Sequence, residues 1–176
     1  VITAIEGSVV TGSAVAIEES VGSGLFVLGE GTEIDLSDCS ISGVLPRDES
    51  FTTEPPVGAS VDEGGQLTLT DCTISDIAGL GLVAQNEGSS ATLTAVEISE
   101  TQGDEDGRYG YGVEVVAGAS VEWTGGGISR AASIGLLVNG EGSRATVSDL
   151  TIADTQAAGE KDLGYGIQVN DGGALM

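Results

Sequence analysis

Apolar and polar residues alternate along most of the chain in short stretches, and Gly, Ser, Asp and Thr separate these stretches. In one of them Leu67 and Leu69 alternate with Gln66, Thr68 and Thr70. A period of two places successive side chains on opposite faces of an extended backbone. The pattern therefore predicts short β-strands joined by tight turns, and it disfavours helix throughout the chain.

The stretches belong to a repeated unit. Five copies align without a gap, and they run from Leu36 to Ile41, Leu69 to Ile74, Leu93 to Ile98, Trp123 to Ile128 and Val147 to Ile152. Each copy spans two short strands, and a further strand that begins with Gly lies upstream of the copies. Each unit therefore holds three strands. One such unit cannot bury its own apolar face, whereas stacked units can. We predict an all-β fold, a parallel β-helix (a solenoid) of about six to seven coils with equivalent strands about 4.8 Å apart.

Stacking of the units predicts columns of inward side chains. The first column holds Leu25, Leu82, Val113, Leu136 and Ile167. The second holds Leu36, Leu69, Leu93, Trp123 and Val147. The third holds Ile17, Ile41, Ile74, Ile98, Ile128 and Ile152. Gly126 follows the bulky Trp123 in a column where neighbouring units carry larger residues, which indicates that the coil compensates for the volume of the indole.

The units alternate in length. Successive isoleucines of the third column are 24, 33, 24, 30 and 24 residues apart, so the unit of duplication is two coils. The additional residues form three predicted long loops at about 42 to 52, 99 to 110 and 153 to 164. These loops should project from the same edge of the stack. They occur on alternate coils, so successive long loops should be about 9.6 Å apart.

The coil repeat, with Leu at its start and Ile five residues later, resembles that of the right-handed parallel β-helix proteins, the pectin-lyase-like family. The resemblance covers residues from about 9 to the end of the chain. It implies a right-handed helix and an extracellular or cell-surface location. Members of the family include polysaccharide lyases and hydrolases, adhesins, autotransporter passengers and bacterial surface proteins, so the resemblance specifies fold more closely than function.

The resemblance also implies where catalytic residues would lie. Lyases of this fold hold calcium on aspartates and use an arginine base, on outward positions of the strand after the long loop. The matching positions here are predicted to be Phe26, Glu54, Val83, Glu114, Leu137 and Gln168. They supply two carboxyls on non-adjacent coils and no arginine, so we predict no catalytic residue and no enzyme. Glu54 and Glu114 remain candidate ligand-binding residues, since their spacing is near that of the paired carboxyls in glycosidases.

Composition excludes several functions. The chain has 28 Asp and Glu against 5 Lys and Arg, no His, and a net charge of −23. Catalysis that depends on imidazole is therefore absent, and the few basic residues cannot neutralise a nucleic-acid backbone. There is no apolar run of membrane-spanning length and no signal peptide in these 176 residues, so we expect no membrane insertion.

Acidic residues are concentrated in two of the long loops. Asp104, Glu105 and Asp106 lie in one, and Glu160 and Asp162 lie in the next. Hard oxygen ligands suit calcium, which gives the hypothesis of a calcium site, and Ca²⁺ is the one cofactor considered. The alternative is an acidic loop in contact with solvent.

Three tyrosines and two cysteines carry further hypotheses. Tyr109, Tyr111 and Tyr165 accompany the ends of two long loops, where they either bind a sugar or pack beneath the loop. Cys39 and Cys72 share one inward position on adjacent coils. They form either a disulfide or a pair of small apolar fillers.

These observations predict one β-helix domain over residues 1–176, a segment of a longer protein. We expect a structural or display role, as a rod, adhesin or passenger of an extracellular or cell-surface protein. The expected partners are neighbouring coils of the same parent chain, end-to-end self-association, and a polysaccharide or surface partner. The alternative is a carbohydrate-active enzyme or a polysaccharide-binding module of the same fold.

Overall fold

The computed structural model describes residues 1–47, 55–103, 108–157 and 164–176, and these residues form β-strands, turns and irregular connections. In chain order the strands are β1 (Ile2–Ile5), β2 (Val9–Ser13), β3 (Ala16–Glu18), β4 (Ser23–Leu28), β5 (Glu33–Ser37), β6 (Ser40–Val44), β7 (Val57–Asp62), β8 (Gln66–Thr70), β9 (Thr73–Ile77), β10 (Leu80–Gln85), β11 (Ser90–Thr101), β12 (Val113–Val116), β13 (Ser120–Ser129), β14 (Ile134–Asn139), β15 (Arg144–Ser148), β16 (Thr151–Ala153), β17 (Tyr165–Asn170) and β18 (Ala174–Leu175).

The strands form two long sheets with parallel pairing. One sheet has seven strands in the order β1-β4-β7-β10-β12-β14-β17. The other has eleven, with β18-β15-β13-β11-β8-β5-β2 as its main path and β3, β6, β9 and β16 beside it. Strands that are neighbours in a sheet come from successive turns of the chain, which is the topology of a solenoid. The predicted fold class, an all-β parallel β-helix, is confirmed.

The isoleucine column of the sequence pattern forms the centre of the core. Ile41, Ile74 and Ile98 are in register with one another and are 0% exposed. The same register continues to Ile128 and Ile152 on one side and to Ile17 on the other. Stacked β-branched side chains fit closely at the spacing of parallel strands, because their χ1 angles are restricted. The prediction of this column is confirmed.

One coil differs from the predicted alignment. The first inward column contains Ala59 between Leu25 and Leu82, and the outward position that follows it is Ser60. The prediction placed Glu54 at this outward position and was wrong. The next described strand, β7, begins at Val57 rather than directly after residue 52. The small Ala59 gives little hydrophobic signal, so the alternation alone did not identify the strand.

Strands of the seven-stranded sheet begin with a glycine for a steric reason. A Cβ atom on Gly112 would lie 2.6 Å from the carbonyl oxygen of Gly135 and 2.6 Å from Cγ2 of Ile128. The equivalent Gly58 would meet the carbonyl oxygen of Gly81 at 2.5 Å. Backbone and isoleucine column approach each other so closely here that a side chain has no space. Gly58 was thus the sequence signal that marks β7 as the missing strand.

Trp123 and Gly126 show a related constraint. Trp123 is 1% exposed and lies in register between Leu93 and Val147, as predicted. Gly126 pairs with Val96 and has a φ of 88°, and a Cβ there would collide with the carbonyl oxygen of Val96. Glycine is therefore required by the backbone conformation at this corner, in addition to the volume argument.

Buried hydroxyls join the coils at the corner after the seven-stranded sheet. Thr32, Ser89 and Ser143 are at most 1% exposed, and they occur on alternate coils. The hydroxyl of Ser143 accepts the N–H of Gly118 at 3.0 Å and donates to the carbonyl of Asn139 at 2.7 Å. The three hydroxyls satisfy backbone groups that would otherwise be buried without a partner. Their alternation agrees with a unit of duplication of two coils.

Cys39 and Cys72 form a disulfide. Their Cα atoms are 4.5 Å apart, 33 residues separate them in the chain, and both side chains are buried. The sequence left open whether this pair is a disulfide or a packing filler, and the structure shows the disulfide. The bond joins adjacent coils on both sides of the first long loop.

The three long connections lie at equivalent places. They join β6 to β7, β11 to β12 and β16 to β17. The strands that follow them are β7, β12 and β17, which are the third, fifth and seventh strands in the order of the seven-stranded sheet. The predicted placement of the long loops along one edge, on alternate coils, is confirmed.

Candidate functional site

A groove of about 540 Å³ lies on the outward face of the seven-stranded sheet, above β12, β14 and β17. Its lining residues are Arg108, Tyr111, Glu114, Ser133, Ile134, Leu137, Asn139, Tyr165, Gln168 and Asn170. We call it the Glu114 groove. Most of these side chains are polar or aromatic, in contrast to the apolar interior of the coils.

Strand alternation and register place the floor of the groove. Val113 and Val115 are 0% exposed and point inward, so Glu114 between them points outward. Glu114 is in register with Leu137, and Leu137 is in register with Gln168. Three adjacent coils therefore contribute one side chain each to a row beneath the groove, at the spacing of parallel strands.

A second row consists of two amides. Asn139 and Asn170 are in register at the ends of β14 and β17, two residues beyond Leu137 and Gln168. An amide side chain provides both hydrogen-bond donors and an acceptor. Together with Gln168, these residues supply the groove with neutral hydrogen-bonding groups on two adjacent coils.

The tyrosines are held by the backbone where the long connections rejoin the sheet. The carbonyl of Tyr111 accepts the N–H of Gly81 at 2.9 Å, which fixes the chain directly before β12. The N–H of Tyr165 donates to the carbonyl of Ser133 at 2.9 Å, where β17 begins. Tyr165 is 45% exposed, so a bound molecule has access to its ring.

The environment of Glu114 is unusually apolar for an outward residue. The adjacent outward positions hold Val83 and Leu137, which are 6% and 7% exposed. Burial among these groups raises the pKa of the Glu114 carboxyl, because a charged carboxylate is poorly solvated there. Burial also raises the pKa of Tyr111, and the charges of Glu114 and Tyr109 add to this effect.

The structure brings together three of the predicted ligand-binding residues. Tyr111, Glu114 and Tyr165 line the same groove. Tyr109 is close enough to influence the pKa of Tyr111, but it does not contribute to the lining. Glu54 lies outside the described residues, and Ser60 holds the position that was assigned to it.

Sequence reasoning missed several groove residues, among them Arg108, Ser133, Asn139 and Asn170. Asn139 and Asn170 end strands that the repeat had already aligned, so their pairing could have been inferred from the register. Arg108 belongs to a long connection, and alternation gives no information about such segments. Arg108 has an interaction partner in the structure.

The candidate calcium ligands Asp104, Glu105, Asp106, Glu160 and Asp162 all lie outside the described residues. Within the described ranges, no group of three or more His, Cys, Asp or Glu residues is arranged to hold a metal ion. The calcium hypothesis therefore stays a prediction.

A row of acidic residues lies next to the groove, along the corner that comes after the strands of the seven-stranded sheet. Exposed acidic residues occur at this corner on all but one of the coils, and they are Glu6, Glu30, Glu63, Glu87, Glu141 and Asp171. We call this row the acidic edge. Gly172 lies beside Glu141, because a Cβ on this glycine would be 3.5 Å from the Cα of Glu141. Glu141 and Asp171 directly follow the end of the groove that is formed by Asn139 and Asn170.

Comparison with known proteins identifies the architecture. The family model described as "Right handed beta helix region" matches residues 2–152. No curated protein and no solved structure gives a significant match. Among the residues that the structure describes, no helix is long and apolar enough to span a membrane.

Proposed function

Because the chain belongs to the right-handed β-helix family, we propose that it is a rigid, non-catalytic scaffold of an extracellular or cell-surface protein that binds a saccharide in the Glu114 groove. The observation that carries this proposal is the composition of the groove, in which two tyrosines, three amides and one carboxyl surround a cavity of about 540 Å³. Aromatic rings offer a face for the apolar side of a sugar, and amides and carboxyls pair with its hydroxyls.

The scaffold role is supported by the continuity of the core. Stacked columns of residues that are fully buried in the central coils run along the stack, and neighbouring strands share a parallel register. Such a stack holds residues of different coils at fixed spacings, which suits the binding of an extended chain of sugar units. The location is supported by the disulfide between Cys39 and Cys72, since structural disulfides persist in oxidising compartments.

The non-catalytic role rests on the charged groups of the groove. Glu114 is the one acidic residue among the described residues of the lining. Glycoside hydrolysis uses two carboxyls on opposite sides of the bond that is cleaved. We therefore propose binding without cleavage. The rival is a carbohydrate-active enzyme in which Glu114, with its raised pKa, is the acid.

Titration calorimetry with short neutral oligosaccharides tests the binding proposal. We expect Tyr165→Ala to weaken binding roughly fivefold, because an aromatic contact contributes about 1 kcal/mol. Val9→Ala is the control, since Val9 is also exposed but lies in the other sheet. If no oligosaccharide, neutral or charged, binds, or if both variants bind like the unaltered chain, the groove is not a saccharide site.

A product assay tests the absence of catalysis. We expect neither new reducing ends nor unsaturated products after incubation with the oligosaccharides that bind. Product release that is lost in Glu114→Gln would show that the groove is catalytic, and the rival function would then replace the proposed one.

A further inference from the structure

The charge distribution around the Glu114 groove indicates what kind of sugar it accepts. Glu114 lies in the floor, in register with the apolar Val83 on one side and Leu137 on the other. Glu141 and Asp171 of the acidic edge stand at the end of the groove formed by the two asparagines. Arg108 is the one cationic residue among the described residues of the lining, and it already has an interaction partner.

We propose that the groove selects saccharide units that carry a primary amine, whose ammonium group pairs with Glu114, over neutral units and over uronates. This inference rests on the proposed saccharide-binding function and specifies its substrate class. An ammonium group supplies three hydrogen-bond donors and the charge opposite to that of Glu114. A uronate would instead bring a second carboxylate next to Glu114 and the acidic edge, where like charges repel.

The apolar surroundings of Glu114 strengthen such a pair. Val83 and Leu137 are buried on both sides of Glu114, which is itself partly buried, so a cation that approaches the carboxyl experiences a field that is less screened than at the open surface. Burial disfavours the unpaired carboxylate, and a bound ammonium group would relieve that cost. The ring of Tyr111, in the same lining, offers a negative face to the same cation. The net charge of −23 would also attract a polycationic saccharide from a distance.

Matched ligands test the inference by titration calorimetry at mildly acidic pH, where the amines of oligoglucosamine carry their charge. The probes are short oligoglucosamine, the N-acetylated oligomer of equal length, oligogalacturonate and an oligolysine peptide. A charge-assisted pair contributes about 1.5 to 3 kcal/mol, so we expect oligoglucosamine to bind about tenfold or more tightly than its N-acetylated form. Oligogalacturonate should bind most weakly.

Two charge-matched variants separate a specific pair from general attraction. Glu114→Gln removes the carboxylate from the groove, whereas Glu122→Gln removes an exposed one from β13 in the other sheet. We expect Glu114→Gln to lose about tenfold in affinity for oligoglucosamine and to lose much less for the N-acetylated form, so that the preference between the two ligands falls. Glu122→Gln should bind both ligands like the unaltered chain. Thermal melts of both variants establish that they fold.

Each alternative result has a distinct meaning. Equal losses in the two variants would show non-specific attraction and overturn the inference. Equal affinity for the N-acetylated oligomer would overturn it as well, but the proposed saccharide function would stand. Tight binding of oligogalacturonate that depends on Arg108 would assign the groove to uronates. Binding of oligolysine alone, through Glu114, would show a peptide site, and both the inference and the proposed function would then fail.

Discussion

Removal of the disulfide between Cys39 and Cys72 provides a stability test of the inter-coil register. In the double variant Cys39→Ala/Cys72→Ala the chain loses a cross-link that closes a loop of 33 residues. Loop-closure entropy assigns such a cross-link roughly 3.5 to 4 kcal/mol of stability. We therefore expect the free energy of unfolding to fall by at least about 3.5 kcal/mol, since the variant also loses buried sulfur atoms.

Val96→Ala is the matched control for the loss of buried volume. Val96 occupies the same inward column on the next coil and is 0% exposed, but it carries no cross-link. We expect it to lose about 1 to 3 kcal/mol through the cavity alone. The difference between the two variants then measures the contribution of the covalent bond.

Urea denaturation with and without a reductant is the assay. Reduction should lower the midpoint of the unaltered chain and of Val96→Ala, which both keep the disulfide, and leave that of Cys39→Ala/Cys72→Ala unchanged. Free-thiol titration of the unfolded, non-reduced chain should find no reactive cysteine. Two free thiols, together with an unfolding curve that does not respond to the reductant, would refute the disulfide and its support for an oxidising compartment.

Three further predictions concern the core, the groove and the ends of the stack. Ile98→Asp should cost several kcal/mol of stability and Glu97→Lys little, because the first buries an unpaired carboxylate while the second changes an exposed residue; equal denaturation midpoints would show that the register is wrong. Glu114→Gln should be more stable than the unaltered chain at pH values above the raised pKa of Glu114. The difference in stability should vanish below the ordinary value of 4.5, where the carboxyl is protonated in both the folded and unfolded states. Thermal melts across this pH range check the sign, and a stability difference that grows in acid would contradict it. Val9 and Ile167, on outer strands, are 62% and 43% exposed, so we expect end-to-end association that increases with NaCl as charge repulsion is screened; light scattering that reports a monomer at every salt concentration would count against it.

The core could be predicted from the sequence because its pattern repeats. Each coil places an apolar residue at the same position, so errors at one coil are corrected by its neighbours. Ile98 belongs to a column in which every predicted member is isoleucine, whereas Trp123 is the one tryptophan of the chain. Both residues lie where the alignment placed them. Strong periodicity thus made the fold predictable from the sequence.

The first long connection could not be predicted as accurately. Alternation reports the faces of a strand, but it does not count the residues of a loop between two strands. Ala59 is too small to stand out as a core residue, and the alignment placed Glu54 at the outward position that Ser60 occupies. Gly58 precedes Ala59 as Gly81 precedes Leu82, so the glycine itself was a signal in the sequence, but its steric cause becomes visible only when the coils are superimposed.

The candidate site was predicted as a set of residues but not as a groove. Tyr111, Glu114 and Tyr165 were singled out by chemistry and by their recurrence at loop ends. Their convergence depends on the path of the long connections, which no periodic pattern describes. One signal was available in the sequence, since Val83 and Leu137 are apolar at outward positions and therefore indicated that the sheet is covered beside Glu114.

A crystal structure of the chain with a bound short glucosamine oligomer tests the central claim most directly. We predict sugar density along the Glu114 groove, with one ring against Tyr165 and an amine within hydrogen-bonding distance of the Glu114 carboxyl. Sugar bound on the eleven-stranded sheet, or an empty Glu114 groove in crystals that contain the oligomer elsewhere on the molecule, would contradict the assignment of this groove as the binding site.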